Sequence, residues 1–309
     1  MRITFMGTPE AAVPTLRRCL EDGHEVVSVW TQPDRPAGRG NRLAQSPVKE
    51  FALSSGLKVH QPAKIRNEEA LNLFASDDAD VAVVVAYGRI LPAAFLSAPR
   101  RGCINVHFSL LPLYRGAAPV NWAIVRGEDE TGVTTMRMNE GLDTGAILQQ
   151  RATKIGVEET ATELMSRLAA DGAELLSETL ARLDEIEELE QSEEKATFAP
   201  MLRREDGLIE WALDAFQIER RVRGFQPWPN AFTKHRESRL VVWRARAEKV
   251  LERAGKEGEV VSANGDELIV ACGDLTALRL LEVQPEGKRR MSVRDYLNGT
   301  RLSAGERFG

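Results

Sequence analysis

Asn105 and His107 stand two residues apart in the stretch CINVHFSLLPLYRG, Cys103 to Gly116, and the loop Gly141-Leu142-Asp143-Thr144-Gly145 downstream brackets a carboxylate with glycines. The start of that stretch reads as a short apolar strand, on which residues i and i+2 share a face. A carboxamide beside an imidazole makes a poor core. It makes a good donor set for charge that develops on a carbonyl oxygen, with Asp143 as the partner that orients and charges the imidazole. A lone histidine at a strand end is ordinarily structural, and Asn-x-His or Gly-x-Asp-x-Gly alone recurs by chance; their succession in this order carries the signal. His24, His60 and His235 read as structural, and with no histidine pair at ligand spacing no metal is expected. No nucleophile elbow and no Cys-His motif accompanies Asn105, so no covalent enzyme intermediate is expected.

The elements that must position these residues alternate in type. Residues 2–6 form a strand pattern, 10–21 a helix ended by Gly23, and 25–30 a second strand, the opening of a parallel α/β sheet. A single Gly7 at the first turn, without G-x-G-x-x-G, argues against a dinucleotide. Residues 80–87, DVAVVVAY, form the strongest strand, apolar enough to be covered on both faces. Gly88, Arg89, Ile90 and Leu91 follow at its carboxyl end, where open parallel sheets collect ligands. Shorter patterns predict strands at 57–60, 132–138 and 147–155, and helices at 48–55, 68–75 and 117–126. Leu164, Leu168, Leu175, Leu176, Leu180 and Leu183 form a core-facing helical stripe over 160–183. The acidic, irregular run at 191–205 reads as a linker between a first domain, 1–190, and a second, 206–309. The second domain opens with an amphipathic helix broken by Pro227-Trp228-Pro229. Five short strands follow, which suggest a small β-barrel of OB-like type.

With 43% apolar and 28% charged residues the chain has the balance of a globular protein. No signal-peptide pattern and no apolar run long enough for a membrane span is present, so the expected location is the cytoplasm. Cys19, Cys103 and Cys272 are odd in number and far apart, which predicts buried reduced thiols. The net charge of -5 is uneven: the acidic excess lies before residue 206, and the remainder is slightly basic. Any nucleic-acid contact therefore rests on local clusters. One is the long Pro/Gly-rich loop at 31–50 with Arg35, Arg39, Arg42 and Lys49; the others are Arg220, Arg221 and Arg223 in the amphipathic helix and Lys288, Arg289 and Arg290 near the barrel's end.

The stretches TQPDRPAGRG, VVVAYGRILP, GCINVHFSLLPLYRGAAP, GLDTG, FQPWPNAF and QPEGKRRMS are spread along most of the chain's length. On them the chain resembles the folate-dependent formyltransferases; the arginine loop together with the PWP-bearing C-terminal domain is the pattern of the branch that acts on methionyl-tRNA. The resemblance implies a Rossmann-like catalytic domain and a formyl group moved from 10-formyltetrahydrofolate to the α-amino group of methionine on initiator tRNA. It implies Asn105, His107 and Asp143 as the catalytic set. Ser109, Leu110, Leu111 and Pro112 would be the folate-contacting loop, with Gly88, Arg89, Ile90 and Leu91 lining the pterin pocket. Arg39 and Arg42 would reach toward the acceptor end of tRNA. Phe108 replaces the family's usual glycine and would narrow the folate pocket or re-aim its loop; Ala146 stands where an acid is common.

Three other readings use the same residues: an enzyme of this fold acting on an amino-sugar nucleotide or glycinamide ribonucleotide, a non-catalytic tRNA-binding module, and a folate hydrolase. The arginine loop and second domain speak against a small acceptor, and the Asn-His-Asp set against a pure binder. A monomer is the default, since no long exposed apolar stripe is evident.

Overall fold

The structure is a computed structural model that describes residues 1–37, 42–248 and 255–309. The chain divides into two compact units: Met1–Pro119, Glu130–Lys154 and Met165–Pro200 form the first, Val120–Asp129, Ile155–Leu164 and Met201–Gly309 the second.

In chain order the elements up to residue 85 are β1 (Arg2–Gly7), α1 (Val13–Glu21), β2 (Glu25–Trp30), β3 (Arg35–Ala37), β4 (Arg42–Ala44), α2 (Pro47–Ser54), β5 (Val59–His60), α3 (Glu68–Ala75) and β6 (Val81–Val85). They are followed by α4 (Ala93–Leu96), β7 (Cys103–His107), β8 (Arg115–Gly116), α5 (Pro119–Arg126), β9 (Glu130–Arg137), β10 (Ile147–Lys154), α6 (Ala161–Ala181) and β11 (Phe198–Ala199). The main sheet runs β10-β9-β7-β6-β1-β2-β5. Strands β5 to β7 of that order are mutually parallel, while β9 is antiparallel to β7 and to β10. From β1 the chain moves outward to β2 and β5 and then returns to β6 on the other side. The order therefore reverses between β1 and β6, where open α/β sheets hold ligands beyond their carboxyl ends. Every residue of β6 and β7 is buried, as their apolar runs require.

Side-chain caps set two of the helix starts. Ser46 accepts the Lys49 N–H at 3.2 Å ahead of α2, and Asn67 accepts the Ala70 N–H at 3.0 Å ahead of α3. On α6, Leu168, Leu175, Leu176 and Leu180 are buried as the stripe predicts. Gly172 lets this helix approach the sheet: a Cβ there would lie 2.9 Å from Val106 and 3.5 Å from the ring of Phe108.

The 31–50 loop contains a short hairpin, β3 against β4, with Arg35 opposite Ala44 and Ala37 opposite Arg42. Arg39 lies outside the described residues, as does the side chain of Arg42.

The second unit carries α7 (Ala215–Gly224), β12 (Phe232–His235), β13 (Ser238–Glu248), β14 (Val260–Asn264), β15 (Glu267–Ala271), β16 (Ala277–Pro285), β17 (Met291–Ser292) and α8 (Val293–Gly299). Its antiparallel sheet has the order β12-β13-β16-β15-β14, with β17 also on β16. The last residues draw its two edges together, because Phe308 bridges to His235 next to β12's turn and Arg307 bridges to Glu259 ahead of β14. This half-barrel is the barrel-like domain expected from the strand pattern.

The units do not follow the expected boundaries. Residues 191–200, read as linker, are bonded into the first unit: β11 pairs in parallel with β8, and the Arg115 guanidinium makes a two-pronged pair with Glu193 at 2.9 Å. Two earlier segments belong instead to the second unit. In it Asn121 donates to the Gly224 carbonyl at 2.7 Å, Trp122 meets Phe225 edge-on at 5.8 Å, and Arg223 donates to the Glu159 carbonyl at 2.9 Å. Among the described residues no helix is long and apolar enough to cross a membrane.

Candidate active site

Strand β7 brings Asn105 and His107 to its carboxyl end on one face, 8% and 6% exposed. Val106 and Phe108 take the other face. The Phe108 ring is 5% exposed and faces the space left by Gly172, so it fills the layer under α6 and does not lie on the face that carries Asn105 and His107. The sequence reading has Phe108 either narrowing the donor pocket or re-aiming its loop; of these, its packing toward Gly172 speaks against the first.

His107 is held from both sides. Its Nε2 is 3.0 Å from the Tyr114 carbonyl oxygen, and its Nδ1 is 3.7 Å from Asp143 Oδ2. A carbonyl can only accept, so Nε2 carries a proton and the remaining chemistry belongs to Nδ1. Tyr114 presents its carbonyl from a left-handed backbone conformation, φ 61°. Asp143 has the same unusual backbone, φ 54°, which costs a non-glycine residue and recurs at functional sites.

Two contacts to Asp143 and one to Gly145 fix this loop. The Gly116 N–H donates to Asp143 Oδ2 at 2.8 Å. Gly116 itself adopts φ 126°, and a Cβ there would stand 2.5 Å from the Ala199 carbonyl oxygen, so no other residue fits. The Gln191 side-chain amide donates to the carbonyls of Asp143 and Gly145 at 2.8 and 2.7 Å. Gln191 accepts in turn from Arg115 Nε at 3.0 Å, and Arg115 is 1% exposed and paired with Glu193. The Arg115 guanidinium holds the Glu193 carboxyl below its usual range.

Tyr114, Gly116, Arg115 and Gln191 went unassigned in the sequence reading. The first two act through backbone atoms, which leave no mark in residue type beyond the Tyr-Arg-Gly that follows the apolar strand.

The expected folate loop packs tightly. Ser109 donates to the Leu113 carbonyl at 2.6 Å, Thr134 donates to the Ser109 carbonyl at 2.6 Å, and Leu111 N–H donates to Thr134 at 3.1 Å. Leu110 is half-buried, Leu111 is buried in a small cluster with Met136 and Ile147, and the Leu111-Pro112 bond is cis. On the other loop Leu91 is buried while Ile90 is 59% exposed; Leu142, beside Asp143, is 54% exposed. Gly88 lines a cleft of about 450 Å³ with Thr8, Gln32, Arg35, Ser46 and Tyr87. It lies at the reversal between β1 and β6. Arg89 does not face it freely, because its Nε donates to Gln32 Oε1 at 3.1 Å.

The basic residues divide into exposed and engaged. Arg35 is exposed on the hairpin, and Lys288 and Arg289 are exposed on the turn after β16. Arg290 pairs with Glu282 and lies 5.1 Å over the Trp243 ring. Arg220 donates to the Phe216 carbonyl at 3.3 Å, Arg221 pairs with Glu210 at 3.2 Å, and Arg223 pairs with Glu219 at 2.6 Å. The sequence reading grouped Lys49 and Arg223 with the phosphate-facing cations. In the structure each has an intramolecular carboxylate, and their side chains are only 15% and 14% exposed. Among the described residues no group of three or more His, Cys, Asp or Glu side chains could hold a metal ion.

Residues 1–180 match the formyl transferase family, and residues 201–301 match the formyl transferase C-terminal domain. The chain is 49% identical to methionyl-tRNA formyltransferase of Caldanaerobacter subterraneus subsp. tengcongensis over 310 aligned residues, 99% of each chain. It is 46% identical to that of Geobacter metallireducens over 311, covering 100% of this chain and 99% of the relative. A solved structure of WlaRD, a sugar 3N-formyl transferase in the presence of dTDP and 5-N-formyl-THF, superposes with a TM-score of 0.67 at 19% identity, over 94% of this chain and 99% of that one. On full-length similarity of this order the chain belongs to the formyl transferase family, among the methionyl-tRNA formyltransferases.

Proposed function

We infer that the protein transfers the formyl group of 10-formyltetrahydrofolate to the α-amino group of methionine esterified to initiator tRNA. The observation that carries the mechanism is the fixed imidazole of His107, bonded through Nε2 to a carbonyl and facing Asp143 through Nδ1.

Attack by the uncharged amine on the formyl carbon puts negative charge on the formyl oxygen. Asn105 and His107 share a strand face and stabilise that charge by donating to it. With Nε2 committed to Tyr114, His107 donates from Nδ1, so it acts as an imidazolium, and Asp143 at 3.7 Å supplies the counter-charge. Asp143 also moves the proton that the amine loses, while Gly116 and Gln191 keep it in place. Collapse breaks the bond from the formyl carbon to the folate nitrogen, which leaves with a proton. Nothing covalent to the enzyme forms.

The residues fit a flat heteroaromatic donor. Leu111 and Leu91 are buried apolar residues of the two loops expected to meet the donor, and Ile90 and Leu142 expose apolar side chains of the kind such a ring covers. Ser109, Leu110 and Pro112, with Gly88 and Arg89, frame the same strand ends. For the acceptor, the exposed Arg35, Lys288 and Arg289 are the first candidates for phosphate contact, together with Arg39 and Arg42 of the 31–50 loop and Arg220, Arg221 and Arg290 of the second unit. The working form is a monomer in the cytoplasm, where its tRNA substrate is charged.

The test is a formyl-transfer assay with purified protein, 10-formyltetrahydrofolate, and initiator tRNA charged with methionine or left uncharged. Formylation of the charged tRNA alone is expected. Donor turnover without formylmethionyl-tRNA would move the activity to a small amine or to water.

A further inference from the structure

Lys49, one of the four cations of the 31–50 loop expected to meet phosphates, is already paired inside the fold. Its Nζ lies 2.6 Å from Asp34 Oδ2. Gln61 donates to Asp34 Oδ1 at 2.7 Å and to the Gln32 carbonyl at 2.8 Å. These bonds join the entry of the β3–β4 hairpin, at Asp34, to its exit, at Lys49. A second tie lies one step closer to the sheet, where the hydroxyls of Thr31 and Ser46 meet at 2.7 Å. The segment that enters the hairpin is fastened to the carboxyl end of β6 as well. Gln32 Nε2 donates to the Tyr87 carbonyl at 3.1 Å, and Gln32 Oε1 accepts from Arg89. Arg35 and Ala44, paired across the hairpin, form a wall of the cleft at the sheet's reversal point.

We propose that Asp34, Lys49 and Gln61 form a staple across the neck of the hairpin that positions its arginine-bearing strands for the acceptor end of tRNA. In this arrangement Lys49 is a positioning residue and not a phosphate contact. The proposal rests on the reading of the hairpin as the acceptor-facing element. Its physical basis is that a two-stranded hairpin of three residues per strand is not stable by itself, so its orientation is set where it joins the fold. Hydrogen bonds from Lys49 and then Gln61 also hold the Asp34 carboxyl below its usual range, so the staple is intact at neutral pH.

The experiment compares Lys49→Met, Asp34→Asn, the double variant and Lys49→Arg in the full-length enzyme, by steady-state kinetics in each substrate and at several salt concentrations. A staple predicts that either single change raises KM for methionyl-tRNA about tenfold and moves KM for the folate donor far less, since the hairpin gives the Gly88 cleft only one of its walls. The double variant should be no worse than either single, because both remove one interaction. Lys49→Arg should recover most of the loss, and the dependence of KM on salt should keep the wild-type slope. If Lys49 instead touched a phosphate, Lys49→Met would reduce the salt slope by about one and its effect would multiply with that of Asp34→Asn, which would overturn the proposal. Arg35→Glu separates the two readings. A raised tRNA KM in Arg35→Glu beside wild-type values in Lys49→Met and Asp34→Asn removes the staple alone. A wild-type KM in Arg35→Glu removes the acceptor-facing hairpin and the proposal with it.

Discussion

Replacing Gln191 with leucine, which is nearly the same size, removes the two bonds that hold the Asp143 and Gly145 carbonyls and the acceptor used by Arg115 Nε. Each such bond contributes a net of about 1 kcal/mol, so the loss in stability should be about 2 to 3 kcal/mol, with Glu193 still pairing the Arg115 guanidinium. The effect on rate follows from Asp143 itself. Its left-handed backbone costs about 1 to 3 kcal/mol and persists because the surroundings impose it. Once Gln191 lets go of its carbonyl, that strain favours other loop arrangements, and each 1.4 kcal/mol or so lowers the competent fraction about tenfold. The single-turnover rate of methionyl-tRNA formylation at saturating donor should therefore fall about ten- to a hundredfold. Gln191→Glu keeps the acceptor for Arg115 and loses both donors, so its stability should recover in part while its rate stays low. A rate within about twofold of wild type in either variant, measured beside the expected loss of stability, would show that Asp143 does not depend on Gln191.

Phe108→Ala should cost about 3 to 5 kcal/mol of stability in denaturant unfolding, as for any large buried side chain, and leave KM for the donor unchanged. A lower donor KM would mean that the ring does reach the donor site. The three cysteines are buried, and burial pushes each thiol up to about 12, so none should react with a thiol reagent at pH 8 until the protein unfolds. Because each folded value is raised, the matching stability is fully present below the unfolded value near 9 and declines as pH rises from there toward 12. An alkaline unfolding series on the Cys103→Ala variant should show a shallower decline than wild type.

Apolar patterning made the first sheet legible: DVAVVVAY contains the buried strand β6, and CINVH is the buried strand β7. The pairing of Asn105 with His107 followed from strand alternation. What holds His107 and Asp143 was not legible, since the carbonyl of Tyr114 that meets the first and the N–H of Gly116 that meets the second are groups present at every residue, and only the fold selects them. Gln191 lay hidden for a different reason: it sits in an acidic run without periodicity, and only contact with the Asp143 loop gives it meaning. Chain order likewise concealed that α5 and the segment Ile155–Leu164 pack with the second unit, because such contacts join residues distant in sequence. Lys49 looked like a phosphate ligand by composition, but Asp34 is its partner.

The proposed mechanism has Asn105, His107 and Asp143 act on the formyl oxygen and the migrating proton. It is tested most directly by single-turnover formylation with saturating methionyl-tRNA and donor in His107→Ala and Asp143→Ala, with tRNA affinity measured in parallel. Each variant should lose about a hundredfold or more in rate while binding tRNA as wild type does. A wild-type rate in either would take that residue out of the chemistry, and a loss confined to tRNA affinity would reassign it to the acceptor.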